Sequence, residues 1–265
     1  MTETPHKNPH FFISMTTIPS RFPSIHHTID SILQQTVLPA KIIINIPKQY
    51  NFRFSETITD QQIEDFQAKY AKLCKNGSII VHRPNYDFGP ATKFLGFLLW
   101  KEQQQEQQEN SFVVAIDDDC VYKSDMLQGF VKTSKTNDAA SYCINEIGYA
   151  NLRLYAGEAV NGFMIKIDKL DNFMSFYNII KTSKTIKHHD DVFISFYLHL
   201  TGTKITSVPY IGSIYVNHTY VDALYHMTGS YGREVLDRKV IALLYAVFIA
   251  RTMLPQNLQN EDPEE

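Results

Sequence analysis

Three adjacent carboxylates, Asp117, Asp118 and Asp119, come directly after the apolar segment 111–116, whose sequence is SFVVAI. That segment predicts a buried strand, and ligands of open α/β sheets bind beyond the carboxyl ends of the strands. Alternate residues of an extended segment point the same way, so Asp117 and Asp119 can face one ligand together. Carboxylate oxygens suit a hard divalent cation. We therefore expect Asp119 and Asp117 to bind Mn²⁺ or Mg²⁺; the alternative is a solvated turn with three exposed acids.

A second acidic pair, Asp190 and Asp191, directly precedes the apolar segment 192–198, which we predict to be helical. One interpretation is that these residues cap the helix, although a single Asp would suffice for that. The second acid then has another use, and a carboxylate can take the proton from an attacking hydroxyl. Because a helix N-terminus favours negative charge, we expect Asp191 to be ionised.

Cationic side chains lie on the same predicted rim. Lys93 falls in the first turn of a helix that begins near the Gly-Pro pair of residues 89–90, where the helix dipole favours anions. Arg83 ends the third predicted strand. Either side chain could pair with a phosphate group, and the alternative for Lys93 is a surface cation.

Polar residues in two loops suit a nucleotide. Thr16, Thr17 and Arg21 supply hydroxyl groups and a guanidinium for contacts with a base, a ribose or a phosphate, although Arg21 could equally be a plain surface residue. Asp87 precedes a Gly-Pro turn, where its carboxylate could accept a hydrogen bond from a pyrimidine N–H or only stabilise the turn.

Strands and helices alternate in the first half of the chain, in the order β-α-β-α-β-α-β, and this alternation predicts a mostly parallel α/β sheet flanked by helices. The predicted strands are 11–17, 39–47, 77–83 and 112–116, and the predicted helices are 25–36, 58–74 with Asp60 as cap, and 89–109. The second half predicts a turn and strand at 157–167, a helix within 187–202, strands at 204–209 and 213–217, and a helix near 234–253. We expect one domain, with a nucleotide-binding half at 11–122 and a smaller acceptor-side half at 123–255.

Four segments in register resemble the GT-A fold of nucleotide-sugar-dependent glycosyltransferases, with a likeness to the family-2 type. IDDDC resembles the Asp-X-Asp motif that ends the fourth strand of a Rossmann-like half in that family. FISMTTIPSRF resembles its first strand and nucleotide-contacting loop, and NYDFGPATKFLG resembles a segment of one branch. HHDDVFISFYL resembles the acidic motif that precedes an acceptor-side helix. The four segments cover roughly residues 11–200 in the expected order.

The resemblance also implies roles for particular residues. It places the base at the second acid of the later motif, Asp191, with Asp190 orienting the acceptor. It implies that the Asp-X-Asp segment holds a metal on the donor diphosphate, with a later histidine, His218 or as second choice His226, completing the metal shell. Asn161 and Gly162 would put bare backbone against the donor sugar, or form only a turn. Asp87 would contact the base or the ribose.

The implied function is metal-dependent transfer of a sugar from a nucleotide-diphosphate donor, with a UDP-sugar favoured, to a glycan or other hydroxyl acceptor. Transfer with inversion of configuration would use Asp191 as base. A second hypothesis is a metal-dependent phosphohydrolase or phosphotransferase with Asp117 as nucleophile. Such folds place their acidic motif on the first strand, whereas here it follows the fourth. A third hypothesis is a catalytically silent protein that binds nucleotide sugars.

Bulk composition excludes some partners and compartments. The 265 residues carry a net charge of -3, which argues against a general nucleic-acid binder. Three cysteines without a Cys-X-X-Cys pair indicate a reducing compartment, and the polar N-terminus shows no signal-peptide core, so we expect a cytoplasmic protein. The apolar run 240–250 is shorter than the roughly 20 residues of a membrane span. We expect it to be a packed helix, with peripheral membrane contact as the alternative.

Overall fold

A seven-stranded sheet forms the centre of the protein. The computed structural model describes residues 9–51, 54–73, 78–104, 110–150, 152–183, 185–209, 212–215 and 235–248. The strands of this part are β1 (His10–Thr16), β2 (Lys41–Asn45), β3 (Ile79–His82), β4 (Ser111–Ala115), β5 (Cys120–Tyr122), β6 (Ala139–Ser141), β7 (Ile144–Tyr149), β8 (Leu152–Gly157), β9 (Phe163–Lys166), β10 (Ile205–Ser207) and β11 (Ser213–Tyr215). Its α-helices are α1 (His26–Leu33), α2 (Asp60–Leu73), α3 (Thr92–Glu102), α4 (Met126–Thr133), α5 (Phe173–Ile180), α6 (Asp190–Leu200) and α7 (235–248).

The strand order in the central sheet is β10-β6-β9-β4-β1-β2-β3. All neighbouring strands run parallel except β9, which is antiparallel to both β4 and β6. This arrangement confirms the predicted α/β class with a mostly parallel sheet flanked by helices. Because β1, β2, β3 and β4 are parallel, their carboxyl ends meet at one edge, and the loops that follow them lie there together.

Two apolar layers cover the two faces of this sheet. The backbone alternation of β1 sends Phe11, Ile13 and Met15 to one side, where they pack with residues of α1, α2 and α4. Phe12 faces the other side, in the cluster that contains residues of α3, α5, α6 and α7. Strands covered on both faces are apolar almost throughout, which explains the unbroken apolar run Ile42–Ile44 within β2.

Helix α2 begins differently from the sequence-based prediction, which took Asp60 as its cap. Asp60 is the first residue of the helix, and the cap is formed by Thr59. The Gln62 amide donates to Thr59 Oγ1 at 3.2 Å, while the Thr59 amide donates to Gln62 Oε1 at 2.9 Å. This reciprocal pair is a capping box, which satisfies two backbone donors where a lone Asp cap would satisfy one.

The C-terminal part of the described chain contributes the helix α7, within the range predicted for it. Val240, Ile241 and Leu244 are fully buried in the same apolar cluster as α3, α5 and α6, so this segment is a packed helix as predicted. His189 Nδ1, just before α6, lies 2.5 Å from Asp237 Oδ1 of α7. None of the described helices combines the length and the apolar composition needed to cross a bilayer.

A buried polar network joins three strands to the start of α3. The Ser14 hydroxyl donates to the carbonyl oxygen of Lys93 at 2.5 Å, and Asn45 Nδ2 donates to Ser14 Oγ at 2.9 Å. His82 Nδ1 lies 3.0 Å from Asn45 Oδ1. Because these side chains are buried and bonded to one another, they fix the first turn of α3, and with it the position of Lys93, relative to β1 and β2.

Gly96 makes this close approach between α3 and β2 possible, and replacing it with alanine should destabilise the fold. The added Cβ would lie 2.8 Å from Asn45 Oδ1 and 2.9 Å from Asn45 Cβ, which cannot rotate away. Overpacking of this kind costs about 1–3 kcal/mol, against the roughly 1 kcal/mol that alanine gains over glycine in a helix. Urea unfolding should show a lower free energy of unfolding for Gly96→Ala. Gly148→Ala is the control, since its Cβ would meet no atom within 4 Å; equal losses for both variants would contradict this account.

Candidate active site

The three carboxylates after β4 are held by one arginine and one buried hydroxyl. Arg21 Nη1 lies 2.9 Å from Asp118 Oδ1 and 3.0 Å from Asp119 Oδ2. The Thr28 hydroxyl lies 2.8 Å from the carbonyl oxygens of both Asp118 and Cys120, so α1 fixes the backbone of the turn. The Asp118 side chain is only 6% exposed. The segment is therefore not a solvated turn of exposed acids, and Arg21 is not a plain surface residue.

Lys93 joins the two acidic segments that the sequence singles out. Its Nζ lies 2.7 Å from Asp117 Oδ1 and 3.0 Å from Asp190 Oδ2, and its side chain is 5% exposed. Burial acts to lower the pKa of Lys93, but Asp117, Asp190 and Asp191 outweigh burial and raise this pKa well above its usual value. Lys93 therefore carries a permanent positive charge, and the alternative of a surface cation is wrong.

Asp190 and Asp191 occupy the first turn of α6, but neither provides a side-chain cap. The N-cap residue is His189, and no side-chain hydrogen bond caps it. Asp191 Oδ1 instead accepts a hydrogen bond of 3.3 Å from the amide of Ala159, in the 3₁₀ turn Ala159–Asn161. The capping interpretation is therefore wrong, and Asp191 connects α6 to the segment before β9.

The surroundings of Asp191 disfavour its charged form, against the expectation that the helix terminus keeps it ionised. Complete burial, and next the neighbouring Asp190 carboxylate, raise the pKa of Asp191 well above its usual range, and Lys93 offsets this rise only in part. The helix dipole contributes about 1–2 kcal/mol at most, whereas burial of a carboxylate can shift its pKa by several units. In this state Asp191 therefore holds a proton more tightly than an ordinary aspartate.

Tyr122 connects the carboxylates after β4 with the turn that contacts Asp191. Its hydroxyl oxygen accepts a 3.0 Å hydrogen bond from the Asp117 amide and lies 3.2 Å from the Val160 carbonyl oxygen. Gly162 follows at a φ of 97°, in the left-handed region that favours glycine. The turn that contains Asn161 and ends at Gly162 therefore lies beside residues of the acidic cluster, and Gly162 has the turn role given as the alternative.

The loop residues predicted to contact a nucleotide lie near the same edge. The Thr16 hydroxyl donates to the Asn45 carbonyl oxygen at 2.8 Å, so it ties β1 to β2. Thr17 Oγ1 is buried and has no hydrogen-bond partner within the described part of the chain. Asp87 Oδ1 accepts a 2.8 Å hydrogen bond from the Gly89 amide, which is the turn-stabilising role. Arg83, in contrast, lies 3.5 Å from Asp60 Oδ1, away from the acidic cluster's ion pairs.

Two tyrosines belong to this site although the sequence did not single them out. Tyr122 bridges Asp117 and Val160, and the Tyr50 hydroxyl donates to the Thr17 carbonyl oxygen at 2.7 Å. Burial, followed by the nearby Asp87 and Asp118 carboxylates, raises the pKa of Tyr50. Tyr122 lies three residues after the acidic run, and this proximity is only a weak indication that it belongs to the site. Tyr50 follows a Pro-Lys-Gln turn, and nothing in its sequence surroundings indicates a site residue.

A divalent cation fits the charge of this cluster. Among the described residues, the acids Asp117, Asp118, Asp119 and Asp190 pair with two cations, Arg21 and Lys93, and Asp191 lies beside them. Asp118 Oδ2 is buried without a hydrogen-bond partner in the described structure. Burial, followed by Asp118 and Asp117, raises the pKa of Asp119 to about 6, so negative charge is in excess here.

The protein alone provides few ligands for such a cation. Among the described residues, no group of three or more His, Cys, Asp and Glu side chains is arranged to hold a metal ion. Mg²⁺-type sites commonly use one or two carboxylates and fill the remaining positions with water and substrate phosphates. The cluster fits that second kind of site. His218, the predicted additional ligand, and the second choice His226 lie outside the described residues.

Comparisons with known proteins find a relative only at the level of the fold. No protein-family model matches the chain, and no curated protein matches its sequence. Solved structures do match, among them S. aureus TarS 1–349, a glycosyltransferase, with a TM-score of 0.50 over 91% of this chain and 70% of the TarS chain. The fold of this chain is similar to that of the TarS chain. The two sequences are 13% identical, so the likeness concerns the fold and leaves the chemistry of the site to be argued from its residues.

Proposed function

We propose that the protein is a metal-dependent glycosyltransferase of the GT-A type that moves a sugar from a nucleotide-diphosphate donor, preferably a UDP-sugar, to a hydroxyl acceptor. The observation that carries this proposal is the pairing of Lys93 with both Asp117 and Asp190, because it brings the segment after β4 and the start of α6 to one point. Sugar transfer needs positive charge at the leaving diphosphate and a carboxylate at the attacking hydroxyl. The ion pairs of Lys93 bring a cation for the diphosphate and a carboxylate of the later acidic pair to one place.

In this proposal residues 11–122 bind the donor. Arg21 and Lys93 are the cations that can reach phosphate oxygens, since both already bridge pairs of carboxylates at this edge. Thr17 supplies a buried hydroxyl that a base or ribose could engage. Asp87, whose carboxylate accepts from the Gly89 amide, is assigned to the base or the ribose.

Residues 123–255 would bind the acceptor, with Asp191 as base and Asp190 as the residue that orients the hydroxyl. A base near the working pH accepts a proton more effectively than an ordinary aspartate, and the raised pKa of Asp191, caused by burial and by Asp190, moves it in that direction. The hydrogen bond from the Ala159 amide holds one oxygen of Asp191 in place. These features favour transfer with inversion, in which a base on the enzyme is required.

Asp119 and Asp117 are the residues that would hold Mn²⁺ or Mg²⁺, with Asp118 beside them. When bound, the ion would neutralise charge on the departing diphosphate as a Lewis acid. Since the described residues offer fewer than three clustered ligands, the ion should bind together with the diphosphate rather than before it.

Replacing Asp119 with asparagine should therefore abolish metal-dependent nucleotide binding while leaving the fold intact. Asparagine keeps the shape of the side chain but removes the charge that a hard cation requires. Calorimetric titration with UDP, in the presence of Mn²⁺ and then of EDTA, measures the metal-dependent part of the affinity. Asp168→Asn is the control, because Asp168 makes a surface ion pair with Lys166 at 3.1 Å. Equal affinity of Asp119→Asn and the wild-type protein would contradict the assignment.

The same protein distinguishes the proposed function from its two rivals. Incubation with Mn²⁺ and a panel of UDP-, GDP-, CDP- and dTDP-sugars should release free sugar and nucleoside diphosphate slowly in the absence of an acceptor. Release of orthophosphate would instead indicate a phosphohydrolase. Binding without any turnover would indicate a silent nucleotide-sugar-binding protein, and equally weak affinity for all four nucleotides would count against a nucleotide site.

A further inference from the structure

The hydroxyl of Tyr122 lies between the two segments that hold the carboxylates of the site. Tyr122 is buried, and its hydroxyl oxygen accepts a 3.0 Å hydrogen bond from the Asp117 amide. The same oxygen lies 3.2 Å from the carbonyl oxygen of Val160 and 3.4 Å from that of Asp117. A phenol has one proton to donate, and the Val160 carbonyl oxygen is the nearer acceptor. The hydroxyl therefore accepts from the segment after β4 and donates to the 3₁₀ turn Ala159–Asn161.

Helix α1 and strand β11 fix the position of Tyr122. The Tyr122 amide donates to Ser31 Oγ of α1 at 3.0 Å, and β5 pairs antiparallel with β11, where Ser213 lies opposite Tyr122. The Thr28 hydroxyl, also on α1, lies 2.8 Å from the Cys120 carbonyl oxygen at the start of β5. No residue of α1 or β5 is assigned a part in donor or acceptor binding. The ring of Tyr122 is therefore held by these elements and not by the turn that its hydroxyl contacts.

The turn Ala159–Asn161 is tied down at its two ends by β6. The Ser141 hydroxyl lies 3.1 Å from the carbonyl oxygen of Glu158 and 3.0 Å from that of Gly162. Ser141 is fully buried, so these contacts are shielded from water. They do not involve Tyr122, so we expect the turn to stay folded when the Tyr122 hydroxyl is removed.

The middle of the same turn connects Tyr122 to Asp191. The Ala159 amide donates to Asp191 Oδ1 at 3.3 Å, and the carbonyl oxygen of the next residue, Val160, faces the Tyr122 hydroxyl. Because a residue has only two soft backbone dihedral angles, contacts on adjacent residues restrict each other's positions. The Tyr122 hydroxyl therefore limits how far the turn and the Asp191 oxygen can move from the Asp117 segment.

This connection differs in kind from the ion pairs of Lys93. Lys93 joins Asp117 to Asp190 by charge, whereas Tyr122 joins the backbone of the Asp117 segment to the backbone next to Asp191 by neutral hydrogen bonds. Reacting groups must be about 3–3.5 Å apart for transfer, and an error of about 1 Å can reduce a rate by about 10²-fold. A buried hydroxyl that contacts both segments suits this requirement for a fixed distance.

We propose that Tyr122 is a positioning residue for sugar transfer, whose hydroxyl fixes the turn that holds Asp191 relative to the carboxylates after β4. It thereby sets the distance between the base and the leaving diphosphate. This proposal rests on the proposed function of the same site. It goes beyond that function because a residue that touches neither donor nor acceptor controls the rate of the chemical step and leaves donor affinity unchanged.

The experiment compares the wild-type chain with Tyr122→Phe, Asp191→Asn, the double variant of these two, and Tyr70→Phe. Tyr70→Phe is the matched control, because Tyr70 is a buried tyrosine whose hydroxyl donates to Asp30 Oδ1 at 3.1 Å, and neither residue is assigned to the site. UDP-glucose and UDP-N-acetylglucosamine are the donors, with Mn²⁺, and water is the acceptor. The rate of UDP release at saturating donor measures the chemical step. Calorimetric titration with UDP and Mn²⁺ measures the affinity of the donor site.

We expect Tyr122→Phe to fold, since phenylalanine keeps the ring in its apolar cluster, and to bind UDP with Mn²⁺ like the wild type. UDP release at saturating donor should fall by about 10–10²-fold. In the Asp191→Asn background the same substitution should cause no further fall, because Tyr122 acts through the carboxylate that is already missing. Tyr70→Phe should match the wild type in both measurements.

UDP release by Tyr122→Phe at the rate of Tyr70→Phe would overturn this proposal. A further fall of equal size in the double variant, or a loss of UDP affinity, would also overturn it, since the effect would then arise elsewhere than at Asp191. A Tyr122→Phe chain that circular dichroism shows to be unfolded would make the hydroxyl a requirement of the fold, with the same consequence. These outcomes leave the proposed function standing. Absence of UDP release by the wild-type chain would overturn the proposed function itself.

Discussion

Replacement of Lys93 with methionine should reduce sugar transfer by about 10²–10³-fold, the loss that follows removal of one preorganised electrostatic contact in an active site. Lys93 Nζ contacts carboxylates of both acidic segments, Asp117 at 2.7 Å and Asp190 at 3.0 Å. Methionine retains the length and the apolar stem of the side chain but removes the charge. The rate of transfer under saturating donor, compared with wild type, measures the effect.

The charge of Lys93 has a structural consequence that can be separated from its part in transfer. Removing one partner of a buried ion pair leaves uncompensated carboxylates and typically costs about 3–5 kcal/mol. In Lys93→Met the buried Asp191 carboxyl loses a cation that lowers its pKa, so this pKa should rise further relative to wild type. Stability from groups with raised pKa values is present at low pH and is lost as pH rises through those values. Lys93→Met should therefore be nearest to wild-type stability in mildly acidic solution.

Lys166→Met is the matched control for this experiment. Lys166 Nζ also contacts two carboxylates, Asp138 at 3.7 Å and Asp168 at 3.1 Å, but on the surface rather than in the cluster. Exposed ion pairs contribute about 0–1 kcal/mol, so this variant should keep both its stability and its transfer rate. If Lys93→Met is folded and transfers sugar at the rate of Lys166→Met, Lys93 serves only to hold the two halves together.

The strands of the first half were predictable because they are buried on both faces. Phe11–Met15 is buried and apolar except for Ser14, Ile42–Ile44 is apolar throughout, and few other structures bury consecutive residues in this way. The rule that parallel strands end at one edge then places Asp117 and Lys93 together without further information. The meeting of Asp190 with this edge was expected only through a resemblance of motifs. The reason is that α6 lies about 70 residues later, and no local pattern encodes so distant a contact.

The hairpin and the raised pKa of Asp191 were not predictable, for different reasons. One face of β7 and β8 contains Glu146, Gly148, Arg153 and Gly157 besides Ile144 and Tyr155, so β7 shows little of the apolar alternation that marks a strand, and packing against α6 contributes to its stability. The pKa of Asp191 depends on complete burial and on the neighbouring Asp190, which are tertiary properties. The sequence indicates only that Asp191 is near a helix terminus. The terminus lowers the pKa of Asp191, and this effect is smaller than the rise caused by burial.

Replacement of Asp191 with asparagine should lower transfer by roughly 10²–10⁴-fold while nucleotide and metal binding remain as in wild type. Asparagine can still accept the hydrogen bond from the Ala159 amide, so the turn that Asp191 contacts should be preserved. It cannot take a proton from an acceptor hydroxyl. Asp190→Asn is the companion variant and should mainly weaken the binding of the acceptor, because Asp190 is paired with Lys93 and is assigned to orientation.

The pH dependence provides an independent measurement of the same role. Burial and Asp190 raise the pKa of Asp191, so transfer by the wild-type enzyme should increase with pH as this carboxyl ionises, above the range of an ordinary aspartate. The protonated form contributes stability that is fully present below the unfolded pKa and is lost as pH rises through the folded one. Asparagine has no proton to lose, so Asp191→Asn should gain thermal stability relative to wild type as pH increases.

Three outcomes of these measurements lead to different mechanisms. If Asp191→Asn loses transfer and also gains stability relative to wild type at higher pH, Asp191 is a base whose ionised form destabilises the fold. Transfer by Asp191→Asn at nearly the wild-type rate would contradict that role. The configuration of the product at its anomeric carbon, measured by NMR, would then decide between the remaining mechanisms: inversion requires a different base, whereas retention requires none at this position. A relative gain in stability without loss of transfer would leave Asp191 as a buried acid that is neutral throughout the reaction.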